Sequence, residues 1–225
     1  LADKCQVKFY FREFIYGQVL DGKEFRQQRI NISEYGAVIL TSRNAVDHYF
    51  RLAQEMRFQV PETMKYFCIS ESTAYYLQKY VVYRKRKIFH GNTKIGELTD
   101  YLLKHKNEKF LLPCSDILKN EIPETLDKIK LNYTKAVMYR TVCSDLSDLK
   151  DVNYDVLVFY SPSGIKSLFE NFPKFKQNKT RIAVFGSTTA KAAEKAGLKV
   201  DIAAPKPECP SMTMALEQYI SKANK

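Results

Sequence analysis

The sequence predicts an α/β protein built from two similar domains with parallel sheets, on three observations. Short apolar runs rich in Val, Ile, Phe and Tyr alternate with stretches of helical periodicity, the order of a parallel sheet covered by helices on both faces. A strand entering a Ser/Thr-rich turn and then a helix occurs twice: Val38-Ile39-Leu40-Thr41-Ser42-Arg43-Asn44-Ala45-Val46 returns 119 positions later as Leu157-Val158-Phe159-Tyr160-Ser161-Pro162-Ser163-Gly164-Ile165. Each copy is followed by a second such unit, Tyr66-Phe67-Cys68-Ile69-Ser70-Glu71-Ser72-Thr73-Ala74 in one half and Ile182-Ala183-Val184-Phe185-Gly186-Ser187-Thr188-Thr189-Ala190 in the other. The spacing is nearly the same, 31 residues from Ser42 to Thr73 and 28 from Ser161 to Thr189.

Taken in order, Val7-Lys8-Phe9-Tyr10-Phe11 opens an early strand over 7–15, followed by strands at 37–40 and 66–69. Between these two, Val46, Tyr49, Phe50 and Ala53 recur at helical spacing after Ser42. The basic run Arg84-Lys85-Arg86-Lys87 lies between Val81-Val82-Tyr83 and Ile88-Phe89, where a solvated hairpin or connector is expected. A strand at 110–112, a helix over Asp116 to Lys130 and a strand at 135–141 complete the first half. The second half has strands at 155–160, 181–185 and 199–203, with a helix from Ser163 to Asn171. Ala190, Ala193 and Ala196 mark another helix, which Gly197 should stop, and Pro210-Ser211 opens the last, over Ser211 to Ser221.

The two copies leave the strands at 7–15 and 135–141 as flanks of the first. A strand entering an inserted domain and one leaving it can pair, so a two-stranded β connector is expected at 15–19 and 134–141. The inserted domain then spans 20–134, and residues 1–16 with 138–225 form a discontinuous domain. Because the early strand has no preceding strand and helix, part of that domain is expected to be missing at the front.

Composition narrows the partners. With 225 residues and 45% apolar content the chain can furnish real cores. The net charge of +11 should attract something negative, whether nucleic acid, an anionic membrane or a small polyanion. Cys5, Cys68, Cys114, Cys143 and Cys209 are odd in number and never paired as CxxC, the pattern of a reduced, intracellular protein. His48, His90 and His105 lie far apart, so no metal site is expected. No apolar run approaches the ~20 residues that span a bilayer.

Small hydroxyl residues between an apolar strand and a helix put backbone amides at the carboxyl end of a parallel sheet, where open α/β folds bind ligands. Any one of them is also an ordinary N-cap, worth ~1 kcal/mol in stability. Repetition at four matched places raises the binding reading and leads to the expectation of two domains facing one anionic ligand. No GxGxxG or GxxxxGK[ST] accompanies the turns, which disfavours dinucleotides and nucleoside triphosphates. Ser161 and Ser163 do not have GxSxG spacing, so a hydrolase triad is not supported. Nothing near the basic run has the signature of a nucleic-acid fold.

Leu40-Thr41-Ser42-Arg43-Asn44-Ala45-Val46, Val137-Met138-Tyr139-Arg140-Thr141, Phe159-Tyr160-Ser161-Pro162-Ser163-Gly164, and Phe185-Gly186-Ser187-Thr188-Thr189-Ala190 through Ala196-Gly197 resemble the uroporphyrinogen-III synthase family in order and spacing. The resemblance covers nearly the whole chain. It implies two flavodoxin-like α/β domains joined by a two-stranded ladder. It also implies cyclisation of hydroxymethylbilane to uroporphyrinogen III, with inversion of ring D, loss of water and no cofactor. On this reading Tyr139 is the catalytic residue, matching a tyrosine that hydrogen-bonds the departing hydroxyl. Ser42, Thr73, Ser161, Thr188 and Thr189 match substrate-binding positions, Asn44 stands where some members carry arginine, and Arg181 falls where the family often has a basic residue. The segment Pro113-Cys114-Ser115-Asp116 lacks the glycine and arginine common there, with Lys119 and Asn120 as substitutes. The expected partner is a polycarboxylate tetrapyrrole, with no nucleic acid and no membrane, and the expected state is a cytoplasmic monomer. The rival reading is a non-catalytic two-domain anion-binding protein.

Overall fold

The computed structural model describes residues 5–223. The chain divides into two compact units, one of residues 17–141 and the other of the segment up to Tyr16 together with 142–225. Strand β1 (Ile15–Val19) and strand β6 (Tyr133–Cys143) each run across one of the two crossings. They pair with antiparallel register: the Leu20 amide donates to the Met138 carbonyl at 3.2 Å and the Ser144 amide to the Phe14 carbonyl at 2.9 Å.

In the unit of residues 17–141 the sheet order is β1-β6-β5-β2-β3-β4, with β2 at Ala37–Leu40, β3 at Lys65–Cys68, β4 at Ile88–His90 and β5 at Phe110–Ser115. From β6 through β4 every pairing is parallel. All four residues of β2 are buried, as expected of a central strand covered on both faces. Val38 and Leu40 pack with Tyr66, Cys68, Leu111, Ala136 and Met138 on one face. Ala37 and Ile39 pack with Phe67, Phe110 and Leu112 on the other.

Helix α1 is Gly22–Arg26 and α2 is Arg43–Glu55, which covers the first face with Ala45, Val46, Tyr49, Leu52 and Ala53, the helical spacing of a buried stripe. Helix α3 (Glu71–Leu77) joins it through Ala74 and Leu77. Leu102 from α4 (Thr99–Lys104), together with Ile122 and Leu126 from α5 (Glu121–Lys128), covers the second face.

In the other unit β7 (Val156–Phe159), β8 (Arg181–Phe185) and β9 (Val200–Ala204) form a parallel sheet in that order. Ile182 and Val184 face a core with Ile165 and Leu168 of α6 (Pro162–Asn171) and Ala193 of α7 (Ser187–Lys195). Ala183 faces Met212, Ala215 and Leu216 of α8 (Met212–Ala223).

Three expected elements differ, and the structure decides between two forms for a fourth. The early strand lies at 15–19, not 7–15: residues 7–13 have no regular structure and Phe11 is 96% exposed. A run of strand formers becomes a strand only where a neighbour supplies the ladder, and here β6 supplies it from Phe14 onward. Of the two forms expected for the basic run, hairpin or connector, it takes the connector. It turns directly into β4, which pairs parallel to β3, and parallel neighbours need a crossover, here α3. The helix expected from Asp116 begins only at Glu121. Asp116 Oδ1 accepts from the Ile117 and Thr141 amides at 3.0 and 2.9 Å, holding the chain in a loop. Finally, β6 runs two residues beyond 135–141 at each end.

Gly197 ends α7 as expected, with φ of +80° in the region that favours glycine. Gly197→Ala should cost roughly 1–2 kcal/mol, since an L side chain there meets its own carbonyl, and Gly197→Asn should cost less. Urea denaturation of the two variants checks this, and equal midpoints for alanine and parent would contradict it.

Candidate functional site

In the unit of residues 17–141 three strands deliver hydroxyls to their carboxyl ends. After β2, Ser42 caps α2 by accepting from the Ala45 amide at 3.1 Å. Asn44 is exposed in the first turn, where a helix leaves its amides without partners. After β3 the cap is Ser70, not Thr73: the Ser70 hydroxyl accepts from the Thr73 amide at 3.2 Å and lies 3.0 Å from Thr73 Oγ1. Thr73 is the third helical residue and only 4% exposed, turned to the packed face of α3. The third hydroxyl, Ser115, ends β5 opposite Tyr139 of β6.

A β-bulge decides where Tyr139 points. Cys114 pairs with Val137, but Ser115 pairs with Tyr139, so Met138 is the extra residue. Side chains alternate along a regular strand, so neighbours face opposite ways. Here Met138 and Tyr139 both pack against the α2 face of the sheet. The bulge thus swings the phenol toward α2, where its ring stacks on His48 with centroids 4.5 Å apart and planes 21° from parallel.

Burial pushes the Tyr139 phenol above its usual pKa, while the Ser42 and Ser115 hydroxyls beside it pull the other way. The group is a protonated donor at neutral pH. Asp116 follows, its own amide donating to the Tyr139 carbonyl at 3.2 Å. Lys119 and Asn120 are exposed in the loop beyond.

The second unit repeats the plan with one change. After β7, Ser161 caps α6 by accepting from the Gly164 amide at 3.2 Å, with Pro162 in the first turn. After β8 the cap position of α7 is Gly186, with φ of +88° and no side-chain cap, so the first amides of this helix have no hydroxyl to satisfy them. Thr188 is exposed there, whereas Thr189 is 1% exposed and packs inward. Thr73 and Thr189 therefore hold the same place in the two units, the third residue of the helix after a strand, and neither is a free cap.

Arg181 is not brought to this cluster. It opens β8 while Gly186 follows the other end of that strand, ~17 Å away at a strand's rise of ~3.3 Å per residue. Its guanidinium lies 3.5 Å from Asp201, a mostly buried carboxylate.

The sequence pattern around His48 does not suit a metal ligand and marks no other role for it. Its helical position was the available signal, three residues past buried Ala45 and four before buried Leu52. Ser70 and Ser115 carry no sequence signal that separates them from the other hydroxyls at the strand ends. Among the described residues no group of His, Cys, Asp and Glu is placed to hold a metal ion, and no helix is long and apolar enough to cross a membrane.

The family model described as uroporphyrinogen-III synthase HemD matches residues 20–214. The chain is 24% identical over 204 residues to the uroporphyrinogen-III synthase of Chlorobaculum parvum (strain DSM 263 / NCIMB 8327), covering 84% of this chain and 82% of that one. Its fold is similar to that of uroporphyrinogen-III synthetase from Helicobacter pylori 26695, with TM-score 0.62, 19% identity and coverage of 93% and 91%. A mutant uroporphyrinogen III synthase from the extremely thermophilic bacterium Thermus thermophilus gives TM-score 0.60 at 14% identity, covering 98% of this chain and 92% of that one.

His48 also supplies a test by pH. Burial, with the Arg51 charge adding to it and Asp47 opposing, holds its imidazole below the ordinary 6.5. As pH falls below that value the unfolded chain takes up a proton that the folded chain resists, so stability present above pH 6.5 is lost on acidification. His105 is depressed by burial in the same direction. The urea midpoint should fall between about pH 7 and about pH 5.5, and His48→Phe should fall less steeply, retaining the part due to His105. Parallel slopes for variant and parent would contradict the assignment.

Proposed function

The chain belongs to the uroporphyrinogen-III synthase family, and on that premise we infer that it cyclises hydroxymethylbilane to uroporphyrinogen III, inverting ring D and releasing water. It is then a lyase of tetrapyrrole and heme biosynthesis. We take each unit as a flavodoxin-like half and the β1–β6 pair as the connector. The observation that carries the reading at the level of residues is the Tyr139 phenol, kept protonated by burial and turned by the bulge toward the Ser42 and Ser115 hydroxyls.

The reaction asks for two things. The hydroxyl of the linear substrate must leave, with the proton released on ring closure completing the water, so negative charge developing on that oxygen needs a donor. A phenol whose pKa is raised keeps its proton and donates a hydrogen bond without competing as a base. Ring D must also be held so that it closes through its substituted position, since the free substrate closes without inversion. That is a task of positioning.

The substrate's acetate and propionate arms are the handles for positioning, and they are the partner that the +11 charge serves, rather than nucleic acid. In the unit of residues 17–141 the first turn of α2, with Ser42 and Asn44, is suited to a carboxylate. Within the other unit, taken by itself, the uncapped start of α7, with Thr188, and Ser161 at the start of α6 are suited to one as well. A helix start is worth roughly 0.3–1 kcal/mol toward an anion, so several act together. Thr73 and Thr189 support their helices from the buried side. Arg181, paired with Asp201, takes no part. The protein acts as a monomer in the cytoplasm.

Tyr139→Phe should fold normally and lower turnover about ten- to a hundredfold, the value of one directed hydrogen bond of about 1–3 kcal/mol. Isomer-resolved chromatography of the product measures it, and full activity in the variant would remove Tyr139 from the mechanism. The parent protein forming no type III isomer would instead favour a non-catalytic anion-binding protein.

Raising ionic strength should weaken substrate binding, because exposed charges are screened beyond about 10 Å at 0.1 M salt. Affinity that is flat with salt would mean that recognition is mainly apolar.

A further inference from the structure

Helix α2 grips the bulge at two points one turn apart. Arg51 Nη2 donates to the Met138 carbonyl at 3.4 Å and to the Leu20 carbonyl at 2.6 Å, while its Nη1 is held by Glu55 at 2.8 Å. Met138 is the extra residue of the bulge, so Arg51 fastens the backbone just before Tyr139. Three positions earlier on the same helix, His48 lies flat against the Tyr139 ring.

The imidazole is otherwise a poor choice for this place. Its Nδ1 is buried with no hydrogen-bond partner. A buried polar atom left unpaired costs stability that an apolar side chain would avoid, and such atoms are rare enough to call for a reason. Protonation would make matters worse, placing an N–H donor in that partnerless spot beside the Arg51 guanidinium. The ring is therefore neutral, and what it offers Tyr139 is a flat, polarisable face at stacking distance.

We propose that His48 is a positioning residue for Tyr139: its ring, clamped on α2, fixes the plane and tilt of the phenol and so presents the hydroxyl beside Ser42 and Ser115. The proposal rests on the reading of Tyr139 as the donor to the departing hydroxyl. A bulge leaves the strand backbone less constrained than a regular ladder, and a phenol swung out by it has its hydroxyl several bonds from the anchoring Cα. Arg51 removes the freedom of the backbone and His48 that of the ring.

Four full-length proteins test this: His48→Ala, His48→Phe, Tyr139→Phe, and His48→Ala combined with Tyr139→Phe. Each is assayed for kcat and KM with hydroxymethylbilane and isomer-resolved product analysis. His48→Ala should lower kcat about ten- to a hundredfold, the scale of a small misplacement of a reacting group, with KM within about twofold. His48→Phe, which restores the plate without the nitrogens, should recover most of that loss. In the Tyr139→Phe background the alanine should add little, because two changes that act through one hydroxyl are not additive.

Where the alanine variant fails to fold, His48→Leu fills the volume without a plane and takes its place. Parental kcat in His48→Ala, equal losses in the alanine and phenylalanine variants, or a full additional loss in the Tyr139→Phe background would each overturn the role of His48. The reading of Tyr139 stands or falls separately, on whether Tyr139→Phe alone is impaired.

Discussion

The candidate chemistry of the unit of residues 17–141 depends on one local constraint, the extra residue Met138 in β6. A regular strand alternates its faces, and Ala136 and Met138 already face the α2 side. Without the bulge Tyr139 would turn to the opposite face, among Phe110, Leu112 and Ile122, with its hydroxyl far from Ser42. The slip between Cys114 and Ser115 reverses that choice for one residue. Afterwards Asp116 restores the pairing, its amide donating to the Tyr139 carbonyl and its carboxylate accepting from the Thr141 amide.

The bulge is held by its surroundings rather than by its own sequence. Arg51 and the Leu20 amide both donate to the Met138 carbonyl, and the Gln28 side chain brackets Val137, donating to its carbonyl at 2.7 Å and accepting from its amide at 3.0 Å. These donors come from α2 and from the segment around α1, so backbone groups released by the irregular ladder find partners in other elements. That satisfaction makes a kinked strand compatible with a packed sheet.

The two units reuse one device with different emphasis. Ser42 and Ser161 cap the helix after the first strand of each repeat in the same way, by a hydroxyl accepting from the amide three residues on. After the second strand the units diverge: Ser70 satisfies the start of α3, while Gly186 leaves the start of α7 without a side-chain partner. A hydroxyl cap occupies amides at a helix start, and the glycine start leaves them open. Thr73 and Thr189, alike in the alignment of the repeats, are alike in being buried as well, and each serves its helix from within.

The sequence by itself determined the alternation of strands and helices, the internal repeat, the helix starts at Ser42 and Ser161 and the stop at Gly197. These depend on local chemistry: apolar periodicity, hydroxyl caps and a positive φ are all legible within a few residues. The ordered motifs also carried the family. What the tertiary structure decided depends on neighbours. Whether 7–13 forms a strand turned on where β6 offers an edge, and Ile88–His90 became one because β3 did. Ser70, not Thr73, caps α3 because the helix begins at Glu71, two residues before the threonine. Arg181 fell at the far end of its strand, a matter of strand direction that a linear motif does not reveal. The orientation of Tyr139 and its partner His48 required the bulge, and a one-residue slip in register depends on the facing strand and the helix above it, which no single segment encodes.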